Sequence, residues 1–267
     1  MPDGTLLLMP AWQDGGPPGA RLLGVKLVTV FPANRARGLA SVGSSYLLCH
    51  GATGQHLALL DGDTLTARRT AAASALAASF LARENAARLL LVGAGHVAAL
   101  LPEAYAAVRP VRTVRVWNRT PAGAVALADR LRAQGFDAAP VPDLRAAVAE
   151  ADIVSCATLA TVPLVHGAWL QPGTHLDLIG GFTPAMREAD EAAVRGARVW
   201  VDTEVALAEA GDLAGLPATA VAGTLTSLCS GTPGRRSQDE TTLFKSVGTA
   251  LEDLAAAGLV WRKENHA

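Results

Sequence analysis

Residues 87–98 read Ala-Arg-Leu-Leu-Leu-Val-Gly-Ala-Gly-His-Val-Ala. An apolar run of strand length ends in a glycine turn that opens a helix. Gly93-Ala94-Gly95-His96-Val97-Ala98 is a GxGxxA pattern. Gly93 permits the tight turn, and Gly95 lets the backbone approach a pyrophosphate seated at the helix start. The pattern alone is weak, but here it follows LLLV, precedes the apolar segment HVAALLPEAYAAV and sits in a βαβ unit of the right size. Outward from it come the strand TVRVWNR, the helix AGAVALADRLRAQG, a short APV strand and a helix around LRAAVAEA. The strands DIVSCAT, THLDLIGG and RVWVDT follow. Such alternation predicts an α/β fold with a doubly wound parallel Rossmann sheet.

At the end of the second strand of a dinucleotide fold, an Asp or Glu normally reads the adenosine ribose. Here Asn118-Arg119-Thr120 stands there. No carboxylate repels a 2′-phosphate, and Arg119 with Thr120 can bind one, so NADP(H) is expected over NAD(H). Ala157, Thr158 and Gly180, which follow later strands, are placed with the same cofactor site.

The flanks differ. Leu6–Leu60 reads as β-rich, with LLLMP, VKLVTVF, SSYLLCH and HLALLD separated by Gly, Pro and Asn clusters. Thr66–Asn85 reads as a long Ala-rich helix, and Thr241–Ala257 as one amphipathic helix. The expected organisation is a Rossmann domain over 72–215, with 1–71 and 216–267 forming a smaller α+β domain. The 23 basic residues include only three lysines, Lys26, Lys245 and Lys263. Where any cation serves, this chain uses Arg, so Lys26 inside the apolar GVKLVTVF points to a polar site. Of the adjacent Arg68 and Arg69, about 100° apart on a helix, only one can face that site. A Lys and an Arg on one pocket suit a small carboxylate.

Half of the residues are hydrophobic and 18% are charged, which predicts an ordered core, and the net charge of -1 argues against a nucleic-acid or anionic-membrane partner. No apolar run reaches membrane-spanning length, and the N-terminus lacks the pattern of a signal peptide, so a soluble cytoplasmic protein is expected. Cys49, Cys156 and Cys229 read as buried, inert thiols. Neither they nor the six histidines have ligand spacing, so no metal is expected.

GVKLVTVFPAN, LDGDTLTARRTAA, VGAGHVA, VWNR, ADIVSCAT, IGGFTPAMREAD, EAGDL and GRRSQDETTLFKSVGTALEDLAAA occur in this order. In that register the chain resembles the ornithine cyclodeaminase/μ-crystallin family from about Met9 to Ala257. The resemblance implies a homodimer with a Rossmann domain and a dimerisation/substrate domain built from both chain ends. It implies that Lys26 is the active-site lysine of GVK, Arg69 the carboxylate-binding arginine of TAxRT, and Gly93, Gly95 and Ala98 the dinucleotide turn. It also implies a segment ahead of LLLMPAW, with a further carboxylate-binding arginine, that has no counterpart in this sequence.

Cyclodeaminases of the family carry an aspartate just after the strand-end glycines; here Phe182 stands there. Cyclodeamination needs a positioned acid/base for its proton transfers, whereas a cyclic iminium, already protonated on nitrogen, is electrophilic and takes hydride directly. The resemblance therefore implies an NAD(P)H-dependent reductase of cyclic imino acids. The alternatives are an ornithine cyclodeaminase recycling NAD and a non-catalytic NADPH-bound binding protein. Lys245 is read as structural or close to the cofactor, Asp202 and Asp212 as cleft-lining or loop-capping, Asp177 as lying within a strand, and Glu188 as capping the following helix.

Overall fold

The computed structural model describes residues 4–13, 15 and 21–265, with the backbone alone at Arg35. The chain begins with four strands, β1 (Thr5–Trp12), β2 (Leu22–Val30), β3 (Val42–His50) and β4 (His56–Asp61), then helix α1 (Gly62–Leu81). Next come β5 (Arg88–Val92), α2 (Leu101–Ala106), β6 (Thr113–Trp117), α3 (Pro121–Ala133), β7 (Asp137–Pro140), α4 (Leu144–Glu150) and β8 (Ile153–Cys156). β9 (His175–Leu178), α5 (Glu191–Arg195), β10 (Arg198–Val201), α6 (Ala206–Glu209), β11 (Val221–Thr224), α7 (Leu225–Cys229), β12 (Thr242–Lys245) and α8 (Ala250–Asn265) complete it. Two units divide the chain: residues 1–70 with 249–267, and residues 71–248.

The larger unit is an eight-stranded sheet in the order β11-β10-β12-β9-β8-β5-β6-β7, parallel throughout. The order reverses at β5, with β6 on one side and β8 on the other, which is where open α/β sheets bind ligands. The central strands are apolar on both faces because both are covered. Leu89 and Leu91 of β5 pack with Val114, Val116, Leu127 and Leu131, whereas Leu90 and Val92 pack with Val154, Leu176, Leu178 and Val194. Residues one apart point to opposite faces, so one short run feeds two cores.

Several boundaries differ from the sequence reading. The larger unit does not end near Gly215, because β11 and β12 lie in its sheet and carry it to Gly248. Thr241–Ala257 is not one helix. Thr242–Lys245 is a fully buried strand between β10 and β9, and α8 starts only at Ala250. Helix α1 starts earlier than Thr66, since the Asp61 carboxylate accepts the Thr64 amide at 2.7 Å and sets the N-terminus there. After the glycine turn, residues 96–100 form turns and α-helix begins only at Leu101. Pro102 lacks an N–H and its ring excludes the carbonyl four residues back. Cys49 and Cys156 are buried, but Cys229 is exposed.

The smaller unit holds an antiparallel sheet in the order β1-β2-β3-β4. Its inner face, Ala11, Leu22, Tyr46 and Leu48, packs on Leu65 of α1 and on Leu254 and Ala257 of α8. Its outer face carries exposed Leu6, Leu8, Trp12, Leu23, Leu27 and Leu59. No helix among the described residues is long and apolar enough to cross a membrane.

Candidate active site

In the larger unit, the last residues of β9, β8, β5 and β6 are register neighbours: Leu178 beside Cys156, Cys156 beside Val92, Val92 beside Trp117. The segments Gly180, Ala157–Thr158, Gly93–Ala98 and Asn118–Thr120 therefore emerge together at the C-terminal edge of one sheet. Gly93 has φ +113°, and a Cβ there would come within 2.6 Å of the Ala157 carbonyl oxygen. Only glycine fits, for both conformation and space. Gly95 is different, with open space where its Cβ would stand. The amides of Ala94 to Ala98 meet no backbone acceptor among the described residues, while Gly93 donates to Trp117 O at 2.8 Å. Open space at Gly95 and a run of N–H groups without a backbone acceptor among the described residues fit a pyrophosphate.

Asn118 Nδ2 donates to Thr120 O at 2.9 Å, so its side chain shapes the turn after β6. Arg119 is exposed and, among the described residues, pairs with no carboxylate.

Behind this edge lies a set of buried charges. Asp190, not Glu188, caps α5 by accepting the Ala193 amide. Glu188 is fully buried and accepts from Thr158 N (2.7 Å), Thr158 Oγ1 (2.7 Å) and Gly180 N (2.6 Å). Asp212 accepts the amides of Glu188 and Ala189 at 2.7 and 3.0 Å, and Asp202 those of Thr203, Val247 and Gly248. Both are loop caps. Lys245 Nζ is buried, donates to Leu178 O at 3.0 Å and lies 3.7 Å from Asp212 Oδ2. It serves as the internal counter-charge. Burial pushes the Glu188 carboxyl above its ordinary range, while Lys245 and the Thr158 hydroxyl pull it back. Asp177, within β9, accepts from Ser74, Tyr105 and Ser155 hydroxyls at 3.2, 2.7 and 2.6 Å. It ties strands to helices inside the core.

In the smaller unit, Lys26 and Arg69 meet on one carboxylate. Lys26 is on the inner face of β2, opposite Tyr46 of β3, and Arg69 lies one helical turn after Thr66 on α1. Lys26 Nζ is 2.7 Å from Asp253 Oδ2, and 3.4 Å from Thr66 Oγ1. Arg69 Nε is 3.0 Å from Asp253 Oδ1, and its Nη1 is 2.9 Å from Glu252 Oε2. Lys26, Arg69 and Asp253 are 3%, 9% and 0% exposed, so the pairs are desolvated, whereas Arg68 faces solvent. Burial lowers the Lys26 pKa, with Asp253 opposing the shift.

The acidic pair was not singled out from sequence. Its signal is two adjacent carboxylates, Glu252 and Asp253, in an otherwise Ala- and Leu-rich helix. Phe182, at the end of the glycine pair, is 47% exposed.

Known proteins share this fold over nearly the whole length of the chain. A Δ(1)-pyrroline-2-carboxylate reductase of Paracoccus denitrificans is 43% identical over 270 residues, spanning 98% of this chain and 84% of that protein. A solved Δ(1)-pyrroline-2-carboxylate reductase of Thermococcus litoralis, in complex with NADH and L-proline, superposes with a TM-score of 0.87 at 30% identity, over 99% of this chain and 88% of that one. An archaeal alanine dehydrogenase dimer with bound NAD gives a TM-score of 0.83 at 25% identity, over 100% and 88% of the two chains. The profile of the ornithine cyclodeaminase/mu-crystallin family matches residues 1–266. With a family profile over residues 1–266 and a relative 43% identical over 98% of the chain, the chain belongs to the ornithine cyclodeaminase/mu-crystallin family.

Proposed function

We propose that the protein is an NADPH-preferring reductase of small cyclic imino acids, converting Δ1-pyrroline-2-carboxylate to L-proline or its six-membered homologue to L-pipecolate. One observation carries this reading over deamination. The residue after Gly180-Gly181 is Phe182, which has no proton to give or take. Cyclodeamination must oxidise an amine, close a ring and expel ammonia, and it needs an acid/base to do so. Imine reduction does not. The ring iminium already carries its proton, hydride adds to the carbon bearing the carboxylate, and the C=N electron pair passes to nitrogen.

The bound nicotinamide supplies the hydride; the chain supplies binding and orientation. Gly93–Ala98 receive the pyrophosphate, Asn118–Thr120 the adenosine ribose, and Ala157, Thr158 and Gly180 the nicotinamide half. Lys26 and Arg69 hold the substrate carboxylate, a positioning role. Their charges are balanced by Asp253 and Glu252, so the cluster suits a zwitterionic iminium carboxylate better than a dicarboxylate. The test is spectrophotometric: with Δ1-pyrroline-2-carboxylate present, the protein should deplete the NADPH absorbance band. Ammonia release from L-ornithine with no net NADPH loss would overturn the reading.

NADPH preference rests on Arg119, which is exposed and has no carboxylate partner among the described residues. Arg119→Ala should raise the Kd for NADPH by about tenfold, the worth of one charge-assisted hydrogen bond, and leave NADH almost untouched. Equal losses for both would contradict a 2′-phosphate contact.

The outer face of the smaller sheet supports pairing with a second copy. Leu8 and Leu27 are direct cross-strand neighbours there, flanked by Leu6, Trp12, Leu23 and Leu59, and none of the six is charged. An exposed apolar patch of this kind marks an interface, and self-association is the commonest way to cover it. Sedimentation should show a dimer that Leu8→Asp with Leu27→Asp converts to monomer. A wild-type monomer would refute it.

A further inference from the structure

We propose that Glu188 is a positioning residue for the nicotinamide half of the dinucleotide site, locking the segments after β8 and β9 into one surface. The inference rests on the reading that a dinucleotide lies along the C-terminal edge of β6, β5, β8 and β9. In that sheet the glycine turn follows β5, and the ribose-reading turn Asn118–Thr120 follows β6. The other side of the switch point, β8 and β9, is left for the nicotinamide.

The Glu188 side chain reaches both of those segments. One oxygen, Oε1, takes the amide and the hydroxyl of Thr158; the other, Oε2, takes the amide of Gly180. The two segments touch closely. A Cβ at Gly180 would fall on the Thr158 carbonyl oxygen, and one at Gly93 would press on the Ala157 carbonyl. The turn after β5, the segment after β8 and the segment after β9 thus form one packed layer, with Glu188 beneath it as its only charged fastener among the described residues.

A buried carboxylate is an expensive fastener, and the surroundings show that it is built in. Asp212 fixes the Glu188 backbone by accepting its amide and that of Ala189. Lys245, fully buried, supplies positive charge while holding the Leu178 carbonyl at the end of β9. Helix α5 does not need Glu188, since Asp190 caps it. A carboxylate accepts at both oxygens, whereas an amide must turn one N–H₂ towards a donor. Glu188→Gln therefore keeps the size of the side chain and releases one of the two segments.

The test separates the two halves of the cofactor. NADH, NADPH and ADP are titrated by calorimetry against wild-type protein and Glu188→Gln. Expected are an affinity for the better reduced dinucleotide lowered about tenfold or more and an affinity for ADP within about twofold of wild type, because ADP uses only the β5 and β6 turns. With substrate, kcat should fall more than the KM for the imine rises. Equal weakening of ADP and dinucleotide, which a general structural loss would produce, overturns the proposal, as does no weakening of either. If Glu188→Gln does not fold, Thr158→Val removes only the hydroxyl donor and should show the same split at smaller size; its absence is equally decisive. Wild-type protein binding no dinucleotide would overturn the dinucleotide reading itself, and is distinguishable because the failure precedes any substitution.

Discussion

Asp253→Ala is expected to destabilise the smaller unit by about 3–5 kcal/mol, the scale for removing one partner of a buried ion pair. Asp253 is fully buried and touches both Lys26 and Arg69. Arg69 would keep Glu252, whereas Lys26 would keep the Thr66 hydroxyl at 3.4 Å and the weaker pull of the Glu252 charge. Burial already lowers the Lys26 pKa and Asp253 opposes that shift, so without Asp253 the lysine should lose its proton more readily. Urea denaturation would report the lost stability through a lower midpoint at unchanged slope. Asp253→Asn keeps the shape and should fold, yet it should impair imine turnover while leaving NADPH binding near wild type, since the residues proposed to bind the dinucleotide belong to the other unit. Wild-type stability in Asp253→Ala, or wild-type turnover in Asp253→Asn, would show that Lys26 and Arg69 do not depend on this carboxylate.

Two glycines two residues apart should fail in different ways. Gly95→Ala places a methyl group in open space, at a position whose φ is not in the left-handed region, so the fold should hold to within about 0.5 kcal/mol. The same methyl stands where the pyrophosphate must approach, and dinucleotide affinity should fall by about 100-fold or more. Gly93→Ala should damage the fold as well. Its φ of +113° is unsuited to an L-residue, and the new Cβ meets the Ala157 carbonyl. Calorimetric titration with NADPH, paired with thermal melting, separates the two effects. A Gly95→Ala protein that melts as wild type and binds NADPH as wild type would remove the glycine turn from the site.

The strands and the glycine turn of the larger sheet were legible because their signals are local. LLLV followed by GAG is a buried strand and its turn within seven residues, and each later strand announces itself as an apolar run. Strand β12 was not legible. Thr242–Lys245 is only four residues long and precedes a true helix, so periodicity joined the two. What placed it in the sheet was its burial between β10 and β9, which is tertiary information. The same limit separates Lys26 and Arg69 from Asp253. A lysine rare in this chain and set in an apolar strand asks for a partner, and a resemblance names the cations. Neither says that a carboxylate 184 residues beyond Arg69 holds both. Glu188 shows it most clearly: its spacing before α5 suggested a cap, but Asp190 caps better and Glu188 turns to the strand ends.

The proposed reaction delivers hydride to the carboxylate-bearing carbon of a cyclic iminium. It is tested most directly by incubating the protein with Δ1-pyrroline-2-carboxylate and NADPH deuterated at the transferable C4 position, then weighing the product. The expected product is L-proline heavier by one deuterium, carried on Cα, with one NADPH consumed per proline formed. Proline formed from L-ornithine with released ammonia and no net loss of NADPH, or no labelled proline at all, would contradict it.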